Sequence, residues 1–214
     1  MAQPNRPQNS PTGAIGAYEN FKAQFCKLRE GGFRTAQVTL HSLDVKRLFM
    51  RQYFPMASFL YHLEQRAPRD RARNADALSS DHEAIDECIS TTNTNASKLL
   101  GEITDMLQKH KVEVAQYAEP FVDSIDVISA NNKTLLTIFT TGDTIASGID
   151  GLWLDGHIDR ESHRKLMQRL RALLRFPRRT LESIYKKHRN RITEERAQAA
   201  ASGSPSDEDV RIAA

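Results

Sequence analysis

The residues best suited to chemistry lie in one short stretch, FRTAQVTLHSLD, residues 33–44. Polar and apolar residues alternate there, which predicts a strand with one buried face, because successive side chains on a strand point to opposite sides. In the DNA major groove, Gln can form two hydrogen bonds to adenine, and Thr can contact base edges or the thymine methyl group. The polar face and its edges therefore offer candidate base-reading residues: Arg34, Thr35, Gln37, Thr39 and His41.

A second group of side chains, in the stretch DGHIDRESH, could suggest a metal site. It contains Asp155, His157, Asp159 and His163, but their spacing matches no recognised ligand set. Asp159 is better placed as the N-cap of a helix. The sequence also has no Gly-rich phosphate loop, Cys–His pairing or nucleophile elbow. We therefore predict a protein that is not an enzyme and that holds no metal or cofactor.

Composition is that of an ordinary globular protein, with 39% hydrophobic and 27% charged residues in 214. No apolar run approaches the roughly 20 residues that cross a bilayer, and the N-terminus lacks the order of a secretory signal. Cys26 and Cys88 stand far apart in the sequence, which favours reduced thiols. We expect a cytoplasmic, bacterial nucleoid-associated protein without a membrane partner.

Charge is unevenly distributed along the chain. Residues 81–126 hold ten acids and three bases, whereas residues 159–196 hold thirteen bases and five acids. Such asymmetry is typical of nucleic-acid partners, but also of one helix pairing with another. Because the two segments nearly cancel, we expect most of the basic side chains to pair within the chain. Three arginines on a loop are better candidates for contacting phosphate: Arg69, Arg71 and Arg73.

The N-terminal half is predicted to contain three helices around the strand. Tyr18 to Leu28 has helical spacing, and Ser42 is suited to cap a second helix. Pro55 cannot sit inside a helix without disrupting it, so a third helix is predicted from Pro55 to about Arg66.

The C-terminal half is predicted to be helical. Apolar residues from Ile85 to Met106 follow a heptad seam, which leaves open a core helix of one chain or a coiled coil between chains. Residues 111–117 and 121–129 are possible short strands, 134–156 a buried helix, and Pro177 separates two basic helices. The resulting organisation is a disordered arm (1–17), a DNA-binding region (18–66), a basic linker (67–80), a helical domain (81–200) and a disordered tail (201–214).

A solitary strand raises the question of its backbone partners, because unpaired N–H and C=O groups are rarely tolerated. The same strand of a second copy, antiparallel about a two-fold axis, would satisfy them. This predicts a homodimer whose two-stranded ribbon fits the major groove. The alternative is an edge strand in a small sheet with residues 111–117 or 124–129.

The order of strand, capped helix, break and helix resembles the ribbon-helix-helix family of DNA-binding proteins. In that family the second helix begins at a phosphate, which here implies phosphate contacts at Ala57 and Ser58. The familiar Gly-containing turn is replaced by QYFPMA. VTLHSLDVKRLF and TIASGIDGLWLDGHIDRESHRKL, with Asp150 in a buried helix, further resemble the AcaB family of transcriptional activators from conjugative plasmids and, more broadly, proteins of integrative and conjugative elements. Of the Asp-Asp-Pro-Tyr-Ala-Asp run of that wider family, only Ala75-Asp76 remains.

The resemblance implies a mainly α-helical, homodimeric activator that binds double-stranded promoter DNA. Two roles stay open for its C-terminal part, namely extended dimer contacts and recruitment of RNA polymerase. The alternative function is a helical adaptor or assembly protein of a conjugative element that does not read DNA. The two differ in whether Gln37 and Thr39 matter for DNA binding.

Overall fold

The computed structural model describes residues 14–28, 32–67 and 75–201. Within these ranges the chain forms five α-helices, two strands and one π-helical segment. In chain order they are α1 (Ala14–Leu28), β1 (Arg34–Leu40), α2 (Leu43–Leu60), the π-helical segment (Tyr61–Arg66), α3 (Ala75–His110), β2 (Phe121–Val127), α4 (Ala130–Leu154) and α5 (Arg160–Ala201). The prediction of a mainly α-helical fold is confirmed.

Several predicted segments lie wholly or partly outside the described residues. These are the arm up to residue 13, the tail from residue 202 and the part of the linker that contains Arg69, Arg71 and Arg73. Helix α1 begins at Ala14, inside the predicted arm of residues 1–17. Helix α3 begins at Ala75, earlier than the predicted start at residue 81. The domain boundaries themselves stay predictions.

Strand β1 has a partner in its own chain, which corrects the prediction of a solitary strand paired across a dimer. All seven residues of β1 pair antiparallel with β2, from Arg34 opposite Val127 to Leu40 opposite Phe121. The backbone partners expected from a second copy are therefore supplied intramolecularly. The other predicted strand, residues 111–117, is irregular, although the Ala115 N–H donates to the Ser147 carbonyl of α4 at 3.0 Å.

Helix α2 runs without a break through Pro55, so the predicted helix start at that residue is wrong. Proline has no N–H, and the carbonyl four residues earlier therefore lacks its helical partner. That carbonyl belongs to Arg51, and the guanidinium of Arg178 on α5 donates to it at 3.2 Å. A side chain remote in sequence thus replaces the missing donor.

Helix α5 is 42 residues long and likewise continues through Pro177, at which the sequence predicted a break between two helices. Its buried side chains lie on both sides of the proline, at Met167, Leu170, Leu174, Leu181 and Ile184. They pack against α2, α3 and α4. Burying each such side chain contributes about 1.5–3 kcal/mol, and together they outweigh the roughly 3 kcal/mol that a proline costs inside a helix.

The heptad positions of α3 from Ile85 to Ile103 are buried within the chain, and Met106 is partly buried, where α3 packs against α4 and α5. The predicted buried helix at residues 134–156 is confirmed as α4. Two of its glycines permit close contact with neighbours. A Cβ added at Gly148 would lie 2.6 Å from the Cγ2 of Ile103, and one at Gly151 would lie 2.4 Å from the Glu113 carbonyl oxygen.

One hydrophobic core joins the two-stranded sheet to the helices. Val38 and Leu40 of β1 belong to it, as do residues of all five helices. Its aromatic part includes Tyr18, Phe49 and Phe54, with the Tyr18 and Phe54 ring centroids 5.2 Å apart. Within the described ranges, no helix is long and apolar enough to cross a membrane.

Candidate nucleic-acid interface

The two-stranded sheet presents one polar face to solvent. Thr35, Gln37 and Thr39 of β1 are exposed, whereas Val38 and Leu40 are buried, as the alternation predicted. Opposite the three exposed residues on β2 stand Asp126, Ser124 and Val122 respectively. This six-residue surface, Thr35, Gln37, Thr39, Val122, Ser124 and Asp126, is hereafter the ribbon face.

The predicted base-reading residues are brought together along one strand. Arg34 begins β1 and His41 follows its last residue, and both are exposed. Arg34 is in phase with the buried positions Val38 and Leu40 and out of phase with Gln37, so it lies at the end of the strand and not on the ribbon face. Gln37 lies at the centre of β1, opposite Ser124, which is also exposed.

An acid on the ribbon face was not anticipated from the sequence. The Thr35 hydroxyl donates to the Asp126 carboxylate at 3.1 Å, and the Cys26 thiol of α1 lies 3.9 Å from the same carboxylate. Asp126 repels phosphate, although a carboxylate can accept a hydrogen bond from the amino group of cytosine. Thr35 is therefore engaged within the sheet, and Gln37 becomes the stronger candidate for contacting a base.

The junction between β1 and α2 is held by a buried carboxylate. Asp143 of α4 accepts hydrogen bonds at 2.8 Å from the backbone N–H groups of both His41 and Ser42. Ser42 occupies the predicted N-cap position of α2, but its own side chain makes no capping hydrogen bond. Burial raises the pKa of the Asp143 carboxyl, and the two N–H donors oppose that rise only in part. Asp143 thus fixes the end of the ribbon face against the core.

Strand β2 is fixed to α1 through a second acid, Asp123. Its carboxylate accepts hydrogen bonds from the Tyr18 hydroxyl and from the Lys22 ammonium, the latter at 2.5 and 2.7 Å. Burial alone would raise the pKa of Asp123, but these donors outweigh it and hold the pKa below its usual value. Both strands are therefore attached to helices by carboxylates, and the ribbon face is a preorganised surface.

The predicted phosphate-binding residues Ala57 and Ser58 do not lie at the N-terminus of a helix. Ala57 and Ser58 lie inside the continuous helix α2, and the Ala57 side chain is fully buried. Their N–H groups are inside the helix and not at a free N-terminus, which removes the basis for a phosphate site there. The loop arginines Arg69, Arg71 and Arg73 lie outside the described residues.

Within the described ranges, some of the basic side chains of α5 are neutralised by acids on other helices, fewer than the majority that the sequence predicted. Arg169 donates to both carboxylate oxygens of Glu102 on α3, and Arg191 pairs with Asp81 near the start of α3. Arg171 pairs with Asp44 of α2 at 2.5 Å. Charge on α5 is therefore used in part to join this helix to its neighbours.

The acids and histidines of the stretch DGHIDRESH are used for structure. Asp159 accepts from the Ser162 N–H at 2.7 Å, which confirms its predicted capping of α5. His163 lies 2.7 Å from Asp150, whose other carboxylate oxygen accepts from the Tyr117 hydroxyl at 2.6 Å. Burial and the neighbouring carboxylate raise the pKa of Tyr117. Among the described residues, no group of three His, Cys, Asp or Glu side chains could hold a metal ion.

No family model and no curated protein matches this chain. Among solved structures, it is similar to the crystal structure of selenomethionine-containing AcaB from uropathogenic E. coli, with a TM-score of 0.70. The two chains are 16% identical, and the similarity covers 80% of this chain and 87% of AcaB. At this identity the similarity shows a shared fold.

Sequence reasoning missed the two acids that position the sheet. Asp143 was detectable as the one acid within the apolar stretch TLLTIFTTGDTIASG, because a lone carboxylate on a buried helix requires a polar partner. Asp123 carried no such signal, because the stretch FVDSIDV alternates in the manner of any half-buried strand.

Proposed function

We propose that this protein is a sequence-specific DNA-binding transcriptional regulator, an activator of conjugative-transfer genes that acts as a homodimer on promoter DNA. The observation that carries the proposal is the ribbon face. Its β1 positions are polar and exposed, while the alternate positions are anchored in the core. A two-stranded ribbon has the dimensions to enter the major groove, where Gln37 would meet base edges.

The overall similarity to known proteins supports the same proposal. The sequence resembles the AcaB family of transcriptional activators, and the fold is shared with AcaB itself. The homodimer remains part of the proposal, and the C-terminal part would either extend the dimer contacts or recruit RNA polymerase. Because each ribbon forms within one chain, a dimer would present two separate ribbons, each reading one half-site.

Selection on randomised duplex DNA tests the proposal, with the native protein, Gln37→Ala and the control Gln108→Ala. Gln108 is exposed near the end of α3 and belongs to neither strand. We expect the native protein and the control to select one motif with two related halves. Gln37→Ala should lose about 1–3 kcal/mol of discrimination at one base pair in each half, with little change in non-specific binding.

Other outcomes contradict the proposal in distinct ways. Identical motifs and stringency for all three proteins would show that Gln37 reads no base. Failure of the native protein to enrich any sequence would favour the adaptor or assembly function. Sedimentation of the native protein with the selected site counts the subunits bound, and one subunit per site would contradict the homodimer.

A further inference from the structure

Helices α2 and α5 run side by side in parallel. Asp44 contacts Arg171, and seven residues further along each helix the Arg51 carbonyl contacts Arg178. The register continues to Phe59 and Tyr185, whose ring centroids are 5.1 Å apart. The outward surfaces of the two helices therefore form one continuous strip beside this seam.

Positive charge dominates this strip. Between Ser162 and Leu181 the chain has seven Lys and Arg residues and no Asp or Glu, and α2 has one acid, Asp44. Arg47, Arg51, Arg175 and Arg179 are all exposed along the paired segments, and they are hereafter the arginine face.

The arginines of the strip divide into two groups by their contacts. Arg171 and Arg178 are held by Asp44 and by the Arg51 carbonyl, so they join the helices. None of the four side chains of the arginine face forms an ion pair with another residue of the described ranges. Uncompensated exposed guanidinium groups are available to bind an anion bidentately.

We propose that the arginine face binds the phosphate backbone of double-stranded DNA, an inference that rests on the proposed function and gives it a phosphate-contacting surface. Arg175 and Arg179 are four residues apart on α5, as are Arg47 and Arg51 on α2, which places the members of each pair about 6 Å apart along their helix. A row of cations on two parallel helices complements a linear polyanion better than a single phosphate group. Such contacts supply affinity and orientation, and leave sequence reading to the ribbon face.

Binding of random-sequence duplex DNA, followed by fluorescence anisotropy across a range of NaCl concentrations, tests this inference. The test variant is Arg175→Gln with Arg179→Gln in the full chain. The control, Arg160→Gln with Lys187→Gln, removes the same charge from exposed positions elsewhere on α5. The slope of log affinity against log salt should become shallower by about 0.9 for each phosphate that an arginine no longer neutralises, and so by up to about 1.8 in the test variant.

The control separates a local interaction from a general effect of charge. A shallower slope in the test variant alone supports the arginine face. If the slope changes equally in both variants, or does not change in the test variant, the assignment of DNA binding to the arginine face is overturned, although the native protein still binds DNA. If the native protein binds no duplex even at low salt, both the arginine face and the proposed function fail. If the slopes respond as expected but selection yields no motif, the arginine face holds and sequence reading fails.

Phe176 provides a check on the kind of nucleic acid. Its ring is 48% exposed beside Arg175 and Arg179, where a base of a single strand could stack on it. Binding to a duplex backbone does not use the ring, so Phe176→Ala should bind duplex DNA with unchanged affinity. Tighter binding of single strands by the native protein, abolished in Phe176→Ala, would overturn the assignment to double-stranded DNA.

Discussion

The hydrogen bond between Arg178 and the Arg51 carbonyl should be energetically coupled to Pro55. Proline deprives that carbonyl of its helical donor, and Arg178 donates to it at 3.2 Å. Arg178→Met keeps much of the aliphatic stem and removes the donor. Hydrogen bonds to charged groups are worth about 1.5–3 kcal/mol in general, but this one is exposed and water can partly replace it. We therefore expect Arg178→Met to lower the free energy of unfolding by about 1 kcal/mol.

In a Pro55→Ala background, Arg178→Met should lower the free energy of unfolding by much less. An alanine at position 55 restores a backbone N–H, which would donate to the Arg51 carbonyl in the ordinary helical pattern. A double-mutant cycle measured by urea unfolding, with circular dichroism as the readout, should give a coupling free energy of about 1 kcal/mol. Arg179→Met is the control, and its cost should be the same in both backgrounds. If Arg178→Met costs equally much in both backgrounds, the reasoning about the proline is refuted.

Two further predictions concern packing and pH. Gly151→Ala should lower the free energy of unfolding by about 1–3 kcal/mol, because its Cβ would meet the Glu113 carbonyl. Gly101→Ala, whose added Cβ would have no neighbour within 4 Å, should raise the free energy of unfolding by about 0.5–1 kcal/mol. If urea unfolding gives the same change in free energy for both substitutions, the packing argument is contradicted. The lowered pKa of Asp123 means that this carboxylate stabilises the fold. Its contribution to the free energy of unfolding is complete above the pKa of the unfolded chain, about 3.9, and disappears as pH falls through the lower pKa of the folded protein. Asp123→Asn should therefore flatten the acid limb of the stability curve, and an unchanged limb in an acid titration would refute this assignment.

Sequence patterns that follow directly from burial predicted the faces of β1 and the helices α3 and α4 correctly. The alternation in residues 34–40 predicted which side chains of β1 face the core, because the strand period fixes the faces. The apolar repeat of α3 and the long apolar stretch of α4 likewise predicted helices. Asp159 was recognisable as a cap because capping depends on residues only three positions apart.

Features that depend on distant residues could not be predicted in the same way. Local propensity places a helix boundary at Pro55, but Arg178 compensates the missing donor from more than 120 residues away. The Ser42 side chain makes no capping hydrogen bond, and the start of α2 is instead held by Asp143, which accepts from the His41 and Ser42 N–H groups. Asp143 becomes their neighbour only when α4 packs against α2 and β1. The pairing of β1 with β2 is likewise non-local. The sequence offered it, with residues 124–129, only as the alternative to a dimer contact, because a strand without a neighbour nearby in sequence is compatible with both.

The separation of the two strands along the chain has a consequence during synthesis. Leu40 pairs with Phe121, about 80 residues later, and all of α3 lies between them. At a translation rate of 5–20 residues per second, the ribosome needs roughly 4–16 s to reach β2 after completing β1. During that interval β1 has an unpaired edge and two apolar residues, Val38 and Leu40, that have not yet met their core. The nascent chain therefore passes through a stage in which the β1 segment is prone to aggregation, because β2 has not yet been synthesised.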